Sequence, residues 1–389
     1  MQIAERLAKI PPYLFMELRK KINKAKAEGV DVISLAIGDP VEATPDSIID
    51  ELCATARDPL NHRYPTDEEK GMLLYRKTIA NWYQTRYGVG LNPESEILGL
   101  IGSKEGCHHF VLACVNPGDT VLMTDPGYPA YRASILMGGG IPYNVPILPQ
   151  NNYLPVLEDI PSAVVKKAKA MFLNYPNNPT GACATLEFLN KLVVFAREAG
   201  IAVCYDNPYS EILFSGQPRI SFLMAPGAKD VGIELNSLSK PFNMCGWRIG
   251  MACGNPELIA AISKVKENTD SGIFNPVQYA GIKALRAEAD FVEKMLAVYG
   301  KRRELVLATL RKIGIDFNPP RGTFYLWVPV PQGMTSLEFT NRLFDKTAVV
   351  VASGTAYGQY GEGFVRISLT VPDARLQEAM QRIEREFSK

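Results

Sequence analysis

Short runs of continuously apolar residues alternate with helical patterns along most of the chain. Four such runs, rich in branched or aromatic side chains, lie at 120–123, 170–173, 201–205 and 232–235. A strand that is apolar on both faces is typical of a parallel sheet covered by helices on both sides. The pattern therefore predicts an α/β fold in which a mostly parallel sheet lies between layers of helices.

The two ends of the chain have different patterns. Residues 14–28 predict a helix that is polar and basic on one side, and 276–313 predict one long helical segment. Beyond that segment, predicted strands mix with helices at 324–328, 348–351 and 364–368. Because 389 residues are too many for one comfortable core, we expect two domains. Their predicted bounds are 46–285 for a large domain, and 1–45 together with 286–389 for a small domain.

Composition and charge narrow the class of protein. The chain is 47% hydrophobic and 21% charged, with a net charge of +1, as in an ordinary globular protein. Such a balance gives no reason to expect nucleic acid or a membrane surface as a partner. No run reaches the roughly 20 apolar residues of a membrane span, and the start lacks the apolar core of a secretory signal. Seven cysteines without a C-x-x-C pair favour reduced thiols, so we expect a cytoplasmic protein.

Polar groups follow directly after five of the predicted strands. They belong to segments that start at Gly102, Thr124, Asn174, Asp206 and Asn236. Each segment alone is explained by a turn. In a parallel sheet, however, ligands bind beyond the carboxyl ends of the strands, so these segments are expected to face one cleft. Together they supply a carboxylate, an amide, phenols, hydroxyls, an amine and a helix start.

This set of groups suits pyridoxal phosphate, which needs an amine, a carboxylate and an anion site. Lys240 would form the Schiff base, and Asp206 would keep the pyridine nitrogen protonated. Asn178 and Tyr209 would hydrogen-bond the phenolic oxygen; Lys240, Asp206 and Tyr209 are the predicted catalytic residues. The predicted phosphate-binding residues are Gly102, Ser103, Lys104, Ser237, Ser239 and Arg248. His108 and His109 have no third ligand in the pattern, so no metal site is predicted.

Four motifs in this order resemble the class I/II aminotransferases, which are pyridoxal phosphate enzymes of fold type I. They are Tyr-Pro-Asn-Asn-Pro-Thr-Gly at 175–181, Asp-Asn-Pro-Tyr at 206–209, Ser-Leu-Ser-Lys at 237–240 and Gly-Trp-Arg-Ile-Gly at 246–250. The resemblance covers nearly the whole chain. It implies a large domain with a mostly parallel seven-stranded sheet and a smaller α+β domain. It also implies transfer of an amino group from an amino acid to a 2-oxo acid, with 2-oxoglutarate as the expected acceptor.

The resemblance implies further roles residue by residue. Tyr128, in Asp-Pro-Gly-Tyr-Pro, would stack on the cofactor ring. Tyr64, in Arg-Tyr-Pro, would reach the phosphate bound by a second subunit, which implies a homodimer. Arg366, in Phe-Val-Arg-Ile-Ser, would pair with the substrate α-carboxylate beside the backbone of Gly38.

Substrate choice depends on weaker motifs. The runs at 13–15, 102–104 and 270–274 look similar to the branch that contains LL-diaminopimelate aminotransferases. That branch implies substrate contacts from Tyr13 and Lys104, and LL-diaminopimelate is the expected substrate. Asn178 is a further predicted substrate contact. No second arginine for a dicarboxylate is evident before Pro276, which argues against a strict aspartate aminotransferase. Alanine, aspartate and aromatic donors are the alternative substrates. A carbon–sulfur lyase on the same fold would use the same cofactor residues and is a further alternative.

Overall fold

The structure is a computed structural model that describes residues 3–10, 14–65, 70–214, 216–287 and 289–387. The strands are β1 Ile33–Ser34, β2 Ile97–Leu100, β3 Thr120–Asp125, β4 Ile141–Pro146, β5 Ala168–Asn174, β6 Ala202–Asp206, β7 Gly232–Ser237, β8 Gly250–Gly254, β9 Tyr325–Pro329, β10 Val349–Val350, β11 Ala352–Ser353 and β12 Phe364–Ser368. The helices are α1 Glu5–Ala8, α2 Leu14–Ala27, α3 Asp46–Ala56, α4 Leu73–Tyr87, α5 Ser103–Cys114, α6 Pro129–Met137, α7 Ser162–Val165, α8 Leu186–Ala199, α9 Ala228–Val231, α10 Pro256–Glu267, α11 Asn275–Ala287, α12 Ala289–Lys312, α13 Ser336–Thr347 and α14 Asp373–Phe387.

A seven-stranded sheet forms the centre of the molecule, in the order β2-β8-β7-β6-β5-β3-β4. β8 runs antiparallel to both neighbours, and the other pairs are parallel. The predicted α/β fold with a mostly parallel sheet is therefore confirmed. The apolar pattern did not predict β4 or β8. β4 is an edge strand that begins and ends near prolines, which an edge tolerates, and β8 begins and ends with glycine.

Both faces of this sheet are buried, as the continuous apolar runs predicted. Along β5, Met171 and Leu173 join the core that contains α8, whereas Phe172 joins the core that contains α5. Successive side chains of a strand point to opposite faces, so one strand contributes to both cores. The parallel register places the ends of neighbouring strands side by side, with Asn174 of β5 opposite Asp206 of β6.

A second core is built from both ends of the chain. β1 pairs with β10, and an antiparallel sheet has the order β11-β12-β9. α12 and α14 pack in this second core, through side chains such as Val306 and Met380. Along α12, Val292 still belongs to the core under the large sheet, whereas Met295 belongs to the second core. The predicted division near residue 285 stays a prediction, and this change of core lies close to it.

Two of the predicted helices agree closely with the structure. The 14–28 prediction corresponds to α2, and the segment predicted at 276–313 is helical on both sides of residue 288, as α11 and α12. Among the described residues, no helix combines the length and the apolar character that crossing a membrane requires.

Candidate active site

A cavity of about 410 Å³ opens at the carboxyl edge of the large sheet. Strand ends of the large sheet, the segment after β1, β12 and α2 all contribute to its wall. The predicted residues that line it are Gly38, Ser103, Lys104, Tyr128, Asn178, Asp206, Tyr209, Ser237, Ser239, Lys240, Arg248 and Arg366. Residues from distant parts of the chain are thus brought together where the parallel-sheet argument expected them.

Lys240 lies in the turn after β7, with its amine in the cavity. Its Nζ donates to the Gly38 carbonyl oxygen at 3.0 Å and lies 3.2 Å from Cys245 Sγ. Gly38 has no room for a side chain, because a Cβ there would lie 1.8 Å from Tyr325 Oη. The backbone that accepts the hydrogen bond from the amine therefore packs directly against Tyr325, which glycine allows.

Asp206 ends β6 and is only 4% exposed. Its Oδ2 accepts a hydrogen bond from Tyr131 at 2.7 Å, whereas Oδ1 has no hydrogen-bond partner among the described residues. Burial raises the pKa of the Asp206 carboxyl to about 6, although the nearby hydroxyls of Tyr131 and Ser103 lower it. A buried carboxylate without an ion pair is unfavourable, so a ligand with a cationic N–H fits this position.

An anion site lies beside it, at the start of α5. The helix begins at Ser103, where its first backbone N–H groups have no partner within the helix and attract anions. Arg248 crosses this start and donates to the carbonyl oxygens of Cys245 at 2.8 Å and Ile101 at 3.2 Å. Gly102 has φ +92°, and a Cβ there would lie 2.3 Å from Arg248 Nη2, so only glycine fits. The geometry suits a phosphate group.

The hydroxyls of the β7 end lie next to this anion site. Ser237 Oγ donates to Ser239 Oγ at 2.9 Å, and both side chains are buried. Both serines also line the cavity, as does Arg248. The hydroxyls and the guanidinium are thus donors that a phosphate can share.

Arg366 is 0% exposed, and it forms part of the cavity wall. It donates to Asn178 Oδ1 at 2.7 Å and to the Ala36 carbonyl oxygen at 2.6 Å. Its guanidinium carbon lies 3.9 Å from the centroid of the Tyr325 ring, and the Tyr325 hydroxyl lies 3.2 Å from that of Tyr209. A guanidinium held in a fixed plane is suited to bidentate pairing with a carboxylate.

Two of the predicted site residues that the structure describes, Gly102 and Tyr64, do not line the cavity. Gly102 lies behind Arg248, as described above. Tyr64 is 76% exposed. Tyr13 lies outside the described residues.

The structure adds residues that the sequence did not identify. Tyr131 holds Asp206, and Tyr325 packs on Arg366. Asn174 donates to the Asp206 carbonyl oxygen at 2.6 Å and accepts from the Asn178 backbone N–H at 2.7 Å. Arg19 of α2 also lines the cavity. Tyr131 was detectable in Asp-Pro-Gly-Tyr-Pro-x-Tyr, whereas Tyr325 was hidden in an ordinary apolar strand.

The two adjacent histidines, His108 and His109, lie on α5. Burial lowers the pKa of His109 to about 4, which keeps this side chain neutral at pH 7. Within the described ranges, no group of three or more His, Cys, Asp and Glu residues is arranged to hold a metal ion.

Comparison with known proteins identifies the family. A sequence model of the family "Aminotransferase class I and II" matches residues 30–383, so the chain belongs to that family. It is therefore an enzyme that transfers amino groups, and the resemblance seen in the motifs is confirmed.

Particular relatives are similar over the full length. The LL-diaminopimelate aminotransferase of Moorella thermoacetica is 49% identical over 389 residues, which cover 100% of this chain and 99% of that protein. The LL-diaminopimelate aminotransferase of Aquifex aeolicus is 50% identical over 383 residues, 98% of each chain. Substrate-bound BacF from Bacillus subtilis has a TM-score of 0.95 at 36% identity, covering 99% of this chain and 98% of that one. These similarities confirm the fold type I architecture.

Asp206→Asn should change how the stability of the cofactor-free protein depends on pH. The folded-state pKa of Asp206 is raised to about 6, so the folded protein holds a proton that the unfolded chain has released. Its contribution to stability is present at low pH and is lost as pH rises through 6. Between about pH 5 and pH 8, the wild type should lose about 1.4 kcal/mol of unfolding free energy that the variant keeps. Urea unfolding at both pH values measures this difference; equal losses in both proteins would show that Asp206 is not a buried acid without an ion pair.

Proposed function

We propose that this enzyme uses pyridoxal phosphate to move the amino group of LL-diaminopimelate to 2-oxoglutarate. One observation carries the proposal: Lys240 and Asp206 line the same cavity. Lys240 supplies a nucleophilic amine, and Asp206 supplies a buried carboxylate without an ion pair. The named relatives, which are about half identical over their whole length, support the choice of amino donor.

The residues of the cavity would hold the cofactor at four points. Asp206 would pair with the ring nitrogen, and Tyr128 would cover the ring. Asn178 and Tyr209 would donate to the phenolic oxygen; burial raises the pKa of Tyr209 well above its ordinary value, so its hydroxyl keeps the proton it donates. The phosphate would be bound by the backbone N–H groups of Ser103 and Lys104 and by the side chains of Ser237, Ser239 and Arg248, with Gly102 allowing the close approach. When bound, pyridoxal phosphate supplies an aldehyde carbon and a ring that withdraws electrons from the substrate Cα.

Lys240 would carry the two chemical tasks of the chain. Its amine is the group in the cavity that can bond to the cofactor aldehyde. After a substrate amino group has displaced it, the same amine can take the proton from the substrate Cα and return it to another carbon. The contact between Lys240 Nζ and the Gly38 carbonyl oxygen keeps the amine within the cavity between these tasks.

Arg366 would orient the substrate for this proton transfer. Its guanidinium is fixed by Asn178 and Ala36, so a substrate α-carboxylate would meet donors already in place. A fixed carboxylate restricts where the substrate Cα can lie relative to Lys240. Preorganisation of this kind lowers the entropic part of the barrier.

Two further cations favour a substrate with a second negative group. Lys240, Arg248 and Arg366 have roles with the cofactor or the α-carboxylate, whereas Arg19 and Lys104 are exposed cations that line the same cavity. LL-diaminopimelate carries a second carboxylate at its distal end, and alanine carries none. Arg19 of α2 would then supply the second arginine that the sequence did not show before Pro276.

We also propose that the active form is a cytoplasmic homodimer. Tyr64 is exposed beside other exposed apolar side chains of the same region, such as Leu60. His62 makes an edge contact with Phe274, itself half exposed, so this apolar surface is continuous between the two segments. A second copy of the chain would cover it and would bring Tyr64 to the neighbouring phosphate.

A panel of amino donors with 2-oxoglutarate tests the proposed function. We expect LL-diaminopimelate to give the highest kcat/KM for glutamate formation, and Lys240→Ala, the negative control, to give none and to lose the visible absorbance of the bound cofactor. Turnover with alanine or aspartate but none with LL-diaminopimelate would refute the substrate. Release of pyruvate and ammonia instead of glutamate would indicate a lyase.

Arg19→Gln and Lys104→Gln should weaken only donors that have a distal charge. Each removes one charge-assisted contact, so kcat/KM for LL-diaminopimelate should fall about tenfold. The slow half-reaction with alanine should stay unchanged. Lys24→Gln is the matched control, since Lys24 is an exposed cation of the same helix that does not line the cavity. An equal loss of activity with LL-diaminopimelate and with alanine would show that Arg19 and Lys104 do not bind the distal group of the substrate.

A further inference from the structure

A buried carboxylate outside the cavity ties the C-terminal part of the chain to the large sheet. Asp125 ends β3 and is 1% exposed. It accepts hydrogen bonds from the backbone N–H groups of Gln359 at 3.2 Å and Tyr360 at 3.1 Å, and from Asn144 Nδ2 at 2.7 Å. Two of these three donors belong to the loop 357–361, which is more than two hundred residues away in sequence.

The same loop is shaped to lie against this carboxylate. Gly358 has φ +135°, and a Cβ there would lie 2.0 Å from Asp125 Oδ1, so no side chain fits at this residue. In a further hydrogen bond the loop supplies the acceptor: the Gly127 backbone N–H donates to the Tyr357 carbonyl oxygen at 2.8 Å. The loop and the end of β3 are therefore joined by reciprocal contacts.

The aromatic ring of Tyr357, the first residue of the loop, lies beside the Arg366 guanidinium. The guanidinium carbon lies 4.9 Å from the centroid of the Tyr357 ring and 3.9 Å from that of Tyr325. Tyr357 is buried and makes an edge contact with Trp327, so its ring has little freedom to move apart from its backbone. A shift of the loop would therefore move an aromatic neighbour of Arg366.

We propose that Asp125 is a positioning residue for Arg366: by holding the loop 357–361 against the end of β3, it keeps the Tyr357 ring beside the guanidinium that binds substrate carboxylates. Tyr128 follows three residues after Asp125 and lines the cavity, so one strand end fixes both the cover of the cofactor ring and a neighbour of the carboxylate site. The inference rests on the role of Arg366 in the proposed function.

Two variants disturb the contacts between Asp125 and the loop 357–361 in different ways. Asp125→Asn keeps the shape but places an NH₂ group where a carboxylate oxygen accepts hydrogen bonds, so at least one loop donor loses its acceptor. Gly358→Ala inserts a methyl group against the carboxylate from the loop side. The matched controls are Asp159→Asn, at an exposed aspartate, and Gly300→Ala, where a Cβ would meet no other atom within 4 Å.

The decisive measurement is the affinity of the cofactor-loaded enzyme for glutarate, a dicarboxylate that cannot react, determined by calorimetry. In both variants the Kd should rise about tenfold, which corresponds to about 1.4 kcal/mol. KM for every amino donor should rise in parallel with little change in kcat, and the visible absorbance of the cofactor should stay the same. Amide hydrogen exchange of the segment 357–363 should become faster, and neither control should change any readout.

The outcomes separate the inference from the function on which it rests. Faster exchange with unchanged glutarate affinity in both variants would make Asp125 merely structural and would overturn the inference. If Asp125→Asn fails to fold, Gly358→Ala decides by the same criterion. Arg366→Gln should abolish glutarate binding; if it does not, the proposed role of Arg366 is wrong, and the inference is overturned with it.

Discussion

The site depends on a carboxylate that the fold buries without an ion pair. Asp206 lies at the end of a central strand, where both faces of the sheet are covered, and only 4% of the residue is exposed. Tyr131 and Asn174 fix the side chain and its backbone, yet one carboxylate oxygen has no partner among the described residues. An isolated buried charge is unfavourable, so this arrangement is explained by a ligand that brings a positive charge. In the proposed function, the charge of the pyridoxal phosphate ring would supply the partner that this carboxylate lacks.

The parallel sheet explains why the remaining groups surround this carboxylate. Neighbouring parallel strands end at the same edge, so Asn174, Asp206 and Ser237 come from separate segments but lie at one edge of the sheet. β8 returns antiparallel beside β7, and the turn that joins them carries Lys240 and Arg248. One turn thus places the amine near the cavity centre and the guanidinium at the start of α5, where the anion site lies.

Much of this arrangement could be predicted from the sequence, because its information is local. The polar residues after each apolar run, including Lys240 and Asp206, belong to short motifs that directly follow strands. Tyr325, Arg19 and Asp125 could not be predicted in the same way. Tyr325 reaches Arg366 and Tyr209 only after a separate strand of the second core has packed, and Arg19 reaches the cavity only because α2 lies across it. Asp125 accepts hydrogen bonds from backbone N–H groups of the loop, and such contacts do not depend on which residues the loop contains.

The charge of Asp206 can be tested with a pyridoxal phosphate analogue in which C–H replaces the ring nitrogen. The analogue keeps the aldehyde, the phenolic oxygen and the phosphate, so only the partner of Asp206 is removed. Calorimetric titration of cofactor-free wild type should show the analogue binding at least about tenfold more weakly than pyridoxal phosphate. In Asp206→Asn the two compounds should bind about equally. Equal binding of both compounds to the wild type would contradict the account, because Asp206 would then not be the residue that selects the cationic ring.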